Sequence, residues 1–163
     1  MRFRLEQTFA APVDAVALAF TEPELYAALG ALPKLGAPQV LERTEDGDVV
    51  NLQVRYRFTG DLSPAVRRVV EPERLSWVEH STHDLARHQV DFVMVPDNYQ
   101  DRLRASGRYA FVPDGSGATR RVTEGEVVVQ AFLVAKSVEN AIVSGIREHL
   151  DAEVSVVERY LGG

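Results

Sequence analysis

The 163 residues are 45% apolar and 26% charged, carry a formal net charge of −6 and include no cysteine. A chain of this length buries roughly 70% of its unfolded surface, so a sizeable core is within reach, but without disulfides, thiolate nucleophiles or cysteine-held metals. The acidic balance opposes a nucleic-acid partner, which needs a basic surface to displace counterions, and the short clusters Arg67-Arg68 and Arg120-Arg121 do not reverse it.

Met1 to Glu6 mixes charges with single apolar residues, unlike a signal segment. No later apolar run reaches the ~18 residues of a membrane span, so a cytoplasmic location is expected. Phe3, Leu5 and Phe9 alternate with Arg2, Arg4, Glu6 and Thr8, which predicts a strand over residues 2–9 with one buried face. Pro12 suits a first helical turn, and Val13, Val16, Ala17 and Phe20 follow at helical spacing. Thr21 and Glu24 have the spacing of a capping box around Pro23, predicting a second short helix that ends at Leu29 before Gly30. Alternation resumes over 40–44 and again in Val50, Leu52, Val54, Tyr56 and Phe58, with Asp46-Gly47 as a two-residue turn that pairs Leu41 with Leu52. Ser63-Pro64 reads as an N-cap and first helical residue, and 64–70 fits either a helical turn or two or a strand.

Four strands follow over 75–83, 87–95, 101–112 and 119–130, the last two joined through Asp114-Gly115-Ser116-Gly117. From about Val134 to Leu161 the residues Val138, Ile142, Ile146, Val157 and Leu161 keep a helical period. A helix of that length, roughly 37 Å, crosses a whole domain. No linker or repeat divides the chain, so 1–163 reads as a single domain. One strand, two short helices, six antiparallel strands and a long last helix make an α+β order. The expected architecture is a seven-stranded antiparallel sheet wrapped around the final helix, whose apolar stripe needs the concave face to cover it.

This order resembles the START-like superfamily, the polyketide cyclase and lipid-transport or helix-grip proteins, over essentially the full chain. The C-terminal part is more specific. Gly125-Glu126-Val127-Val128-Val129-Gln130-Ala131-Phe132-Leu133-Val134, followed by Val138-Glu139, Ala152-Glu153 and Tyr160-Leu161, resembles the Gly-x-Val-x-Val-x-x-Pro-Leu-Val-Gly-Gly-x-x-Glu stretch of the bacterial domain of unknown function 2505. Phe132 stands near the usual proline, and Ala135-Lys136 where a glycine pair is common. The resemblance implies a helix-grip fold that binds hydrophobic or amphipathic molecules, and it supplies no catalytic motif.

Strand pairing indicates which side chains face the interior. A short loop through Asp84-Leu85-Ala86-Arg87 sets His83 opposite His88, Ser81 opposite Val90, Glu79 opposite Phe92 and Trp77 opposite Met94. The apolar face is the one with Trp77, Val90, Phe92 and Met94. The last hairpin, read with Tyr109 opposite Arg121 and Gly107 opposite Thr123, gathers Tyr109, Phe111, Val127 and Val129 on one surface, and Tyr56 and Phe58 complete an aromatic lining. On the final helix His149 and Glu153 lie four residues apart, on the face of Ile142 and Ile146. All of these, with Glu79, are the expected walls of a ligand cavity.

The polar members have two readings each. His149 and Glu153 reach water beside the sheet edge, the first expectation, or form an internal pair that orients a ligand. Glu79 lies near Trp77 and Phe92, where desolvation raises its pKa and suits it to general-acid work; a register error leaves it in water, and an ion pair with Arg121 makes it structural. Glu79 and His149 are the catalytic candidates, with no role assigned. His80 and His83 face opposite sides of a strand, and His83 with His88 lacks a third ligand, so a solvent-exposed pair at a hairpin end is expected in place of a metal site.

There is no serine elbow, phosphate loop or dinucleotide fingerprint, and no cofactor is expected. Three functions fit the residues. The leading one is binding or carrying a lipid-like or polycyclic small molecule; the others are a cyclase- or dehydratase-type enzyme and a ligand-free module that regulates a protein partner.

Overall fold

The computed structural model describes residues 1–162; Gly163, the last residue of the expected domain, lies outside the described residues. Seven strands, β1 (Arg2–Phe9), β2 (Gln39–Asp46), β3 (Val49–Arg57), β4 (Ser76–Asp84), β5 (Gln89–Pro96), β6 (Leu103–Pro113) and β7 (Thr119–Val129), form one antiparallel sheet. The spatial order is β1-β7-β6-β5-β4-β3-β2. Four helices accompany it: α1 (Val13–Ala19), α2 (Pro23–Leu29), α3 (Pro64–Arg67) and α4 (Ala135–Gly162). This is the α+β helix-grip architecture that the residue patterns predict. No described helix is long and apolar enough to cross a membrane.

Period-two patterning fixes the concave side. In β3 the side chains of Val50, Leu52, Val54 and Tyr56 are buried while Asn51, Arg55 and Arg57 are exposed. At one end of the concavity α1 and α2 supply Val16, Phe20, Leu25 and Leu29 to a core shared with Phe9, Val50, Leu52 and Phe111. The Phe20 and Phe111 rings stack with centroids 5.3 Å apart, and Phe9 meets both edge-on, an arrangement that adds aromatic attraction to the area buried. α4 packs on α1, α2, β1 and β7, and its buried side chains are Val138, Glu153, Val156 and Val157.

Several local expectations are corrected. The second helix starts after Glu22, with no side-chain cap, because the Thr21 hydroxyl donates to Leu18 O (2.8 Å) at the end of α1. For segment 64–70 the helical reading holds and the strand does not: Pro64–Arg67 forms the single short helix α3, capped as expected by Ser63 Oγ accepting from Val66 N, and a 3-10 turn follows at Pro72–Arg74. The first hairpin turns at Gly47-Asp48, since its first central residue needs the positive φ (+58°) that Gly47 supplies. Leu52 therefore faces Arg43, and Leu41 falls at a bulge and is exposed.

The other two hairpins are displaced by two residues from the expected register. Asp84 extends β4 and accepts a hydrogen bond from Arg87 N, which makes a four-residue loop with His88 at positive φ. His83 then opposes Val90, Ser81 opposes Phe92, Glu79 opposes Met94 and Trp77 opposes Pro96. In the last hairpin the Asp114 carboxylate accepts from Ser116 N and Ala118 N, and Tyr109 opposes Thr123 while Phe111 opposes Arg121. A shift of two keeps every side chain on its expected face, whereas a shift of one reverses them all.

Candidate functional site

Between the sheet and α4 lies a cavity of about 920 Å³, within the range of roughly 300–1,000 Å³ that ligand pockets occupy. β4 and β5 contribute Trp77, Glu79, Phe92 and Met94, and the outgoing end of β3 contributes Tyr56 and Phe58. Tyr109 of β6 continues the sheet face, and Ile142, Ile146, His149 and Glu153 of α4 form the opposite wall. Trp77 stacks on Tyr56 with ring centroids 5.7 Å apart, and Phe92 leans on Tyr109 at 6.1 Å. Phe111 and Val127 are corrections. Both point inward as their parity requires, but Phe111 is stacked into the closed core and Val127 is fully buried away from the cavity lining.

The lining runs from exposed Asp61 and Phe132 at one end to buried Tyr26, Arg121 and Glu153 at the other, so the cavity opens beside Phe132. Phe132 and its neighbour Leu133 are 91% and 88% exposed, and Leu133 has a positive φ of 67°. Sequence reasoning misses the lining residues Leu62, Val69 and Tyr99, which come from irregular segments without a period to read, and Val66 of the short helix α3.

It names Arg121 only as a structural partner for Glu79, not as a member of the cavity wall paired with Glu153. This side chain is 2% exposed and occupies the closed end. Nη1 donates to Glu153 Oε2 (2.8 Å), Nη2 to Leu150 O (3.2 Å) and Nε to Gln7 Oε1 (3.2 Å), while Gln7 Nε2 donates to Asp151 Oδ1 (3.0 Å). The guanidinium carbon lies 5.3 Å from the ring centroids of both Phe9 and Phe20 and 6.0 Å from that of Tyr109. A cation so enclosed is tolerated because charge, hydrogen bonds and ring faces all answer it. The available signal was parity: a charged residue at an inward position of β7.

His149 and Glu153 do not reach water as first expected; they belong to this network. His149 Nε2 donates to Glu153 Oε1 (2.9 Å), and the two side chains are 16% and 6% exposed. Burial pushes the Glu153 carboxyl up, but Arg121 and then His149 outweigh it and hold the group down at about 2. Glu153 is thus an anion shared between a guanidinium and an imidazole.

Glu79 is different. It lines the same cavity without a hydrogen bond or ion pair to any described residue, so the anticipated structural pairing with Arg121 is absent among them. Burial, reinforced by the Glu153 charge, raises its pKa to about 7 against the opposing pull of His149 and Arg121. Three further polar atoms on the lining residues are buried without a partner among the described residues: His149 Nδ1, Thr123 Oγ1 and Trp77 Nε1. The cavity therefore combines apolar walls with a small set of unanswered polar groups, including an acid that changes protonation near neutrality and an imidazole nitrogen.

The remaining histidines do other work. His83 is buried, not exposed at a hairpin end; its Nε2 meets Ser81 Oγ at 3.0 Å, and burial followed by the nearby Arg43 charge lowers its pKa to about 4. His88 Nε2 contacts Asp14 Oδ1 at 2.7 Å and ties the β4–β5 loop to α1. Among the described residues no three His, Asp or Glu side chains converge to hold a metal ion. A second hollow, on the outer face of the sheet, is polar and open, lined by Asn51, Gln53, His80, Thr82, Asp91 and Arg108 among others.

Three solved structures share this architecture over nearly the whole chain. The Thermus thermophilus protein TTHA0849 matches with a TM-score of 0.70 at 16% identity, covering 99% of this chain and 97% of its own. The Zhui aromatase/cyclase of Streptomyces sp. R1128 gives 0.69 at 15% identity, covering 99% and 93%. Norcoclaurine synthase of Thalictrum flavum gives 0.66 at 19% identity, covering 99% and 86%. At these identities the likeness is one of fold, and it agrees with the START-like resemblance read from the residues. No curated protein matches the sequence. The family described as protein of unknown function (DUF2505) matches residues 4–161, and the chain belongs to it.

Proposed function

We propose that this protein binds a hydrophobic or amphipathic small molecule, lipid-like or polycyclic, in the cavity beneath α4. The carrying observation is the cavity itself: about 920 Å³ of space walled by Tyr56, Trp77, Phe92, Met94, Ile142 and Ile146 and ending in a few polar groups. Water in such a space forgoes most of its hydrogen bonds, so an apolar ligand displaces it favourably. The solved relatives are consistent with this use of the fold. Norcoclaurine synthase has been solved with dopamine and hydroxybenzaldehyde, and the Zhui protein is described as an aromatase/cyclase. An open cavity also favours ligand binding over a ligand-free interaction module, which a sealed core would suit better.

A second reading, acid-base catalysis on the bound molecule, has one specific observation in its favour: Glu79, raised to about 7, and His149 line the same cavity. Groups with pKa values moved toward the working pH are suited to proton transfer. Binding is tested first. Native mass spectrometry of freshly purified protein, followed by organic extraction, should release a retained hydrophobic compound, and an apolar fluorescent probe should bind the protein saturably. A protein that carries no such compound and binds no hydrophobic probe would remove both readings.

A further inference from the structure

We infer that the ligand carries a protonated amine and that Glu79 is the counter-ion that receives it inside the cavity. This rests on the cavity being a ligand site and adds the charge of the guest. The other charged side chains of the lining each have an opposite partner. Lys34 meets Glu148, Asp61 meets Arg67 at 3.5 Å, Arg102 meets Asp101 at 3.8 Å, and Arg121 and His149 both meet Glu153, at 2.8 and 2.9 Å. Glu79 is the exception: among the described residues no Lys, Arg or His nitrogen lies within ion-pair distance of its carboxylate, and the two cations that act on it, His149 and Arg121, are turned onto Glu153.

The sheet around Glu79 offers it nothing charged. On the inner face of β4 its neighbours are Trp77 and Ser81, and its cross-strand partners are Val54 and Met94. The stacked Tyr56–Trp77 pair and the tilted Phe92–Tyr109 pair stand on the same face. Burial, and then the Glu153 charge, make an anion costly there, which is why the Glu79 pKa rises to about 7 against the pull of His149 and Arg121. An ammonium group supplies what the fold leaves out. It brings opposite charge and N–H donors to the carboxylate oxygens, and it is a cation of the kind that aromatic faces attract. An alcohol brings one donor and no charge, and a hydrocarbon brings neither. The apolar body of the guest is left to Ile142 and Ile146 on the facing wall.

Three pyrenes of similar shape separate the charge from the hydrocarbon: 1-pyrenemethylamine, 1-pyrenemethanol and 1-methylpyrene, each titrated by its own fluorescence at pH 8, where the amine is protonated and Glu79 is largely ionised. A hydrogen bond to a charged group is worth about ten- to hundredfold in affinity, so 1-pyrenemethylamine should bind at least about tenfold more tightly than 1-pyrenemethanol. In Glu79→Gln that ratio should fall to about one. Should Glu79→Gln fail to fold, Glu79→Leu, which suits the apolar lining, takes its place. Saturable 1-methylpyrene binding with equal affinities for the amine and the alcohol, or an amine preference that survives in the folded Glu79 variant, overturns the counter-ion inference and leaves the cavity as a binding site. Absence of binding by all three overturns both.

Discussion

The two halves of α4 meet different surroundings. From Glu153 onward the inward side chains Glu153, Val156 and Val157 are buried against α1, α2 and the ends of β1 and β7. Between Val138 and Glu153 no side chain is fully buried, and Ile142 and Ile146 look into open space. One helical period thus serves two purposes, a close-packed seal and the wall of a cavity. Periodicity reports which way a side chain points, and only the opposing layer decides whether something meets it there.

The contrast can be broken most severely at the seal. Arg121→Met should leave the buried Glu153 charge with His149 as its remaining ion-pair partner and lower unfolding free energy by about 3 kcal/mol, the low end of the usual penalty for removing one partner of a buried pair; urea denaturation measures it. A loss below about 1 kcal/mol would mean that water reaches the closed end. Glu79→Gln acts in the opposite direction. Glu79 binds its proton more tightly folded (about 7) than unfolded (4.5), so its ionisation lowers stability progressively as pH rises through that window, and the loss persists above it. The substitution should therefore stabilise the protein at pH 8 by about 2–3 kcal/mol, with little change at pH 4.5. Glu153 has the reverse sign: its contribution is present above about pH 4.5 and is lost as pH falls toward about 2.

A pair of truncations sharpens the same comparison. Val157→Ala opens a void in a packed region and should cost about 2 kcal/mol, whereas Ile142→Ala, beside existing space, should cost under about 1 kcal/mol. The smallest stability effect is expected for Ile142→Trp. Added bulk enters the cavity without straining a close-packed core, so unfolding should shift by less than about 1 kcal/mol while probe affinity falls at least severalfold. Undiminished binding in a folded Ile142→Trp protein would move the site away from the middle of α4.

Much of this was legible in the residues. The alternation in β3 and the helical period of α4 gave the architecture, because both patterns are produced by burial on one side. Loop lengths were not legible. Asp84 and Asp114 each accept backbone hydrogen bonds within their loops, and that local chemistry, not the strand pattern, displaced two registers by two residues. The candidate site was half visible. Parity placed Trp77, Glu79 and Phe92 inward, but could not separate Tyr109 in the cavity wall from Phe111 in the closed core, two residues along the same strand. The sequence pattern offers Arg121 to Glu79 but does not bring it to His149 and Glu153, because its partners Glu153 and Gln7 lie 32 and 114 positions away on other elements.

Those separations bear on how the molecule is made. Gln7 has to wait for Arg121 and then for Asp151, 144 positions later. At roughly 5–20 residues per second of synthesis, the 36 positions between Arg121 and Val157 occupy about 2–7 seconds, during which β6 and β7 can pair while α4 does not yet cover the aromatic concavity. The nascent sheet therefore passes through an interval in which its stickiest surface faces solvent, and contacts this distant in sequence form slowly even once the chain is released. The same hollow that α4 closes in the mature protein is an open aromatic surface in its newborn form.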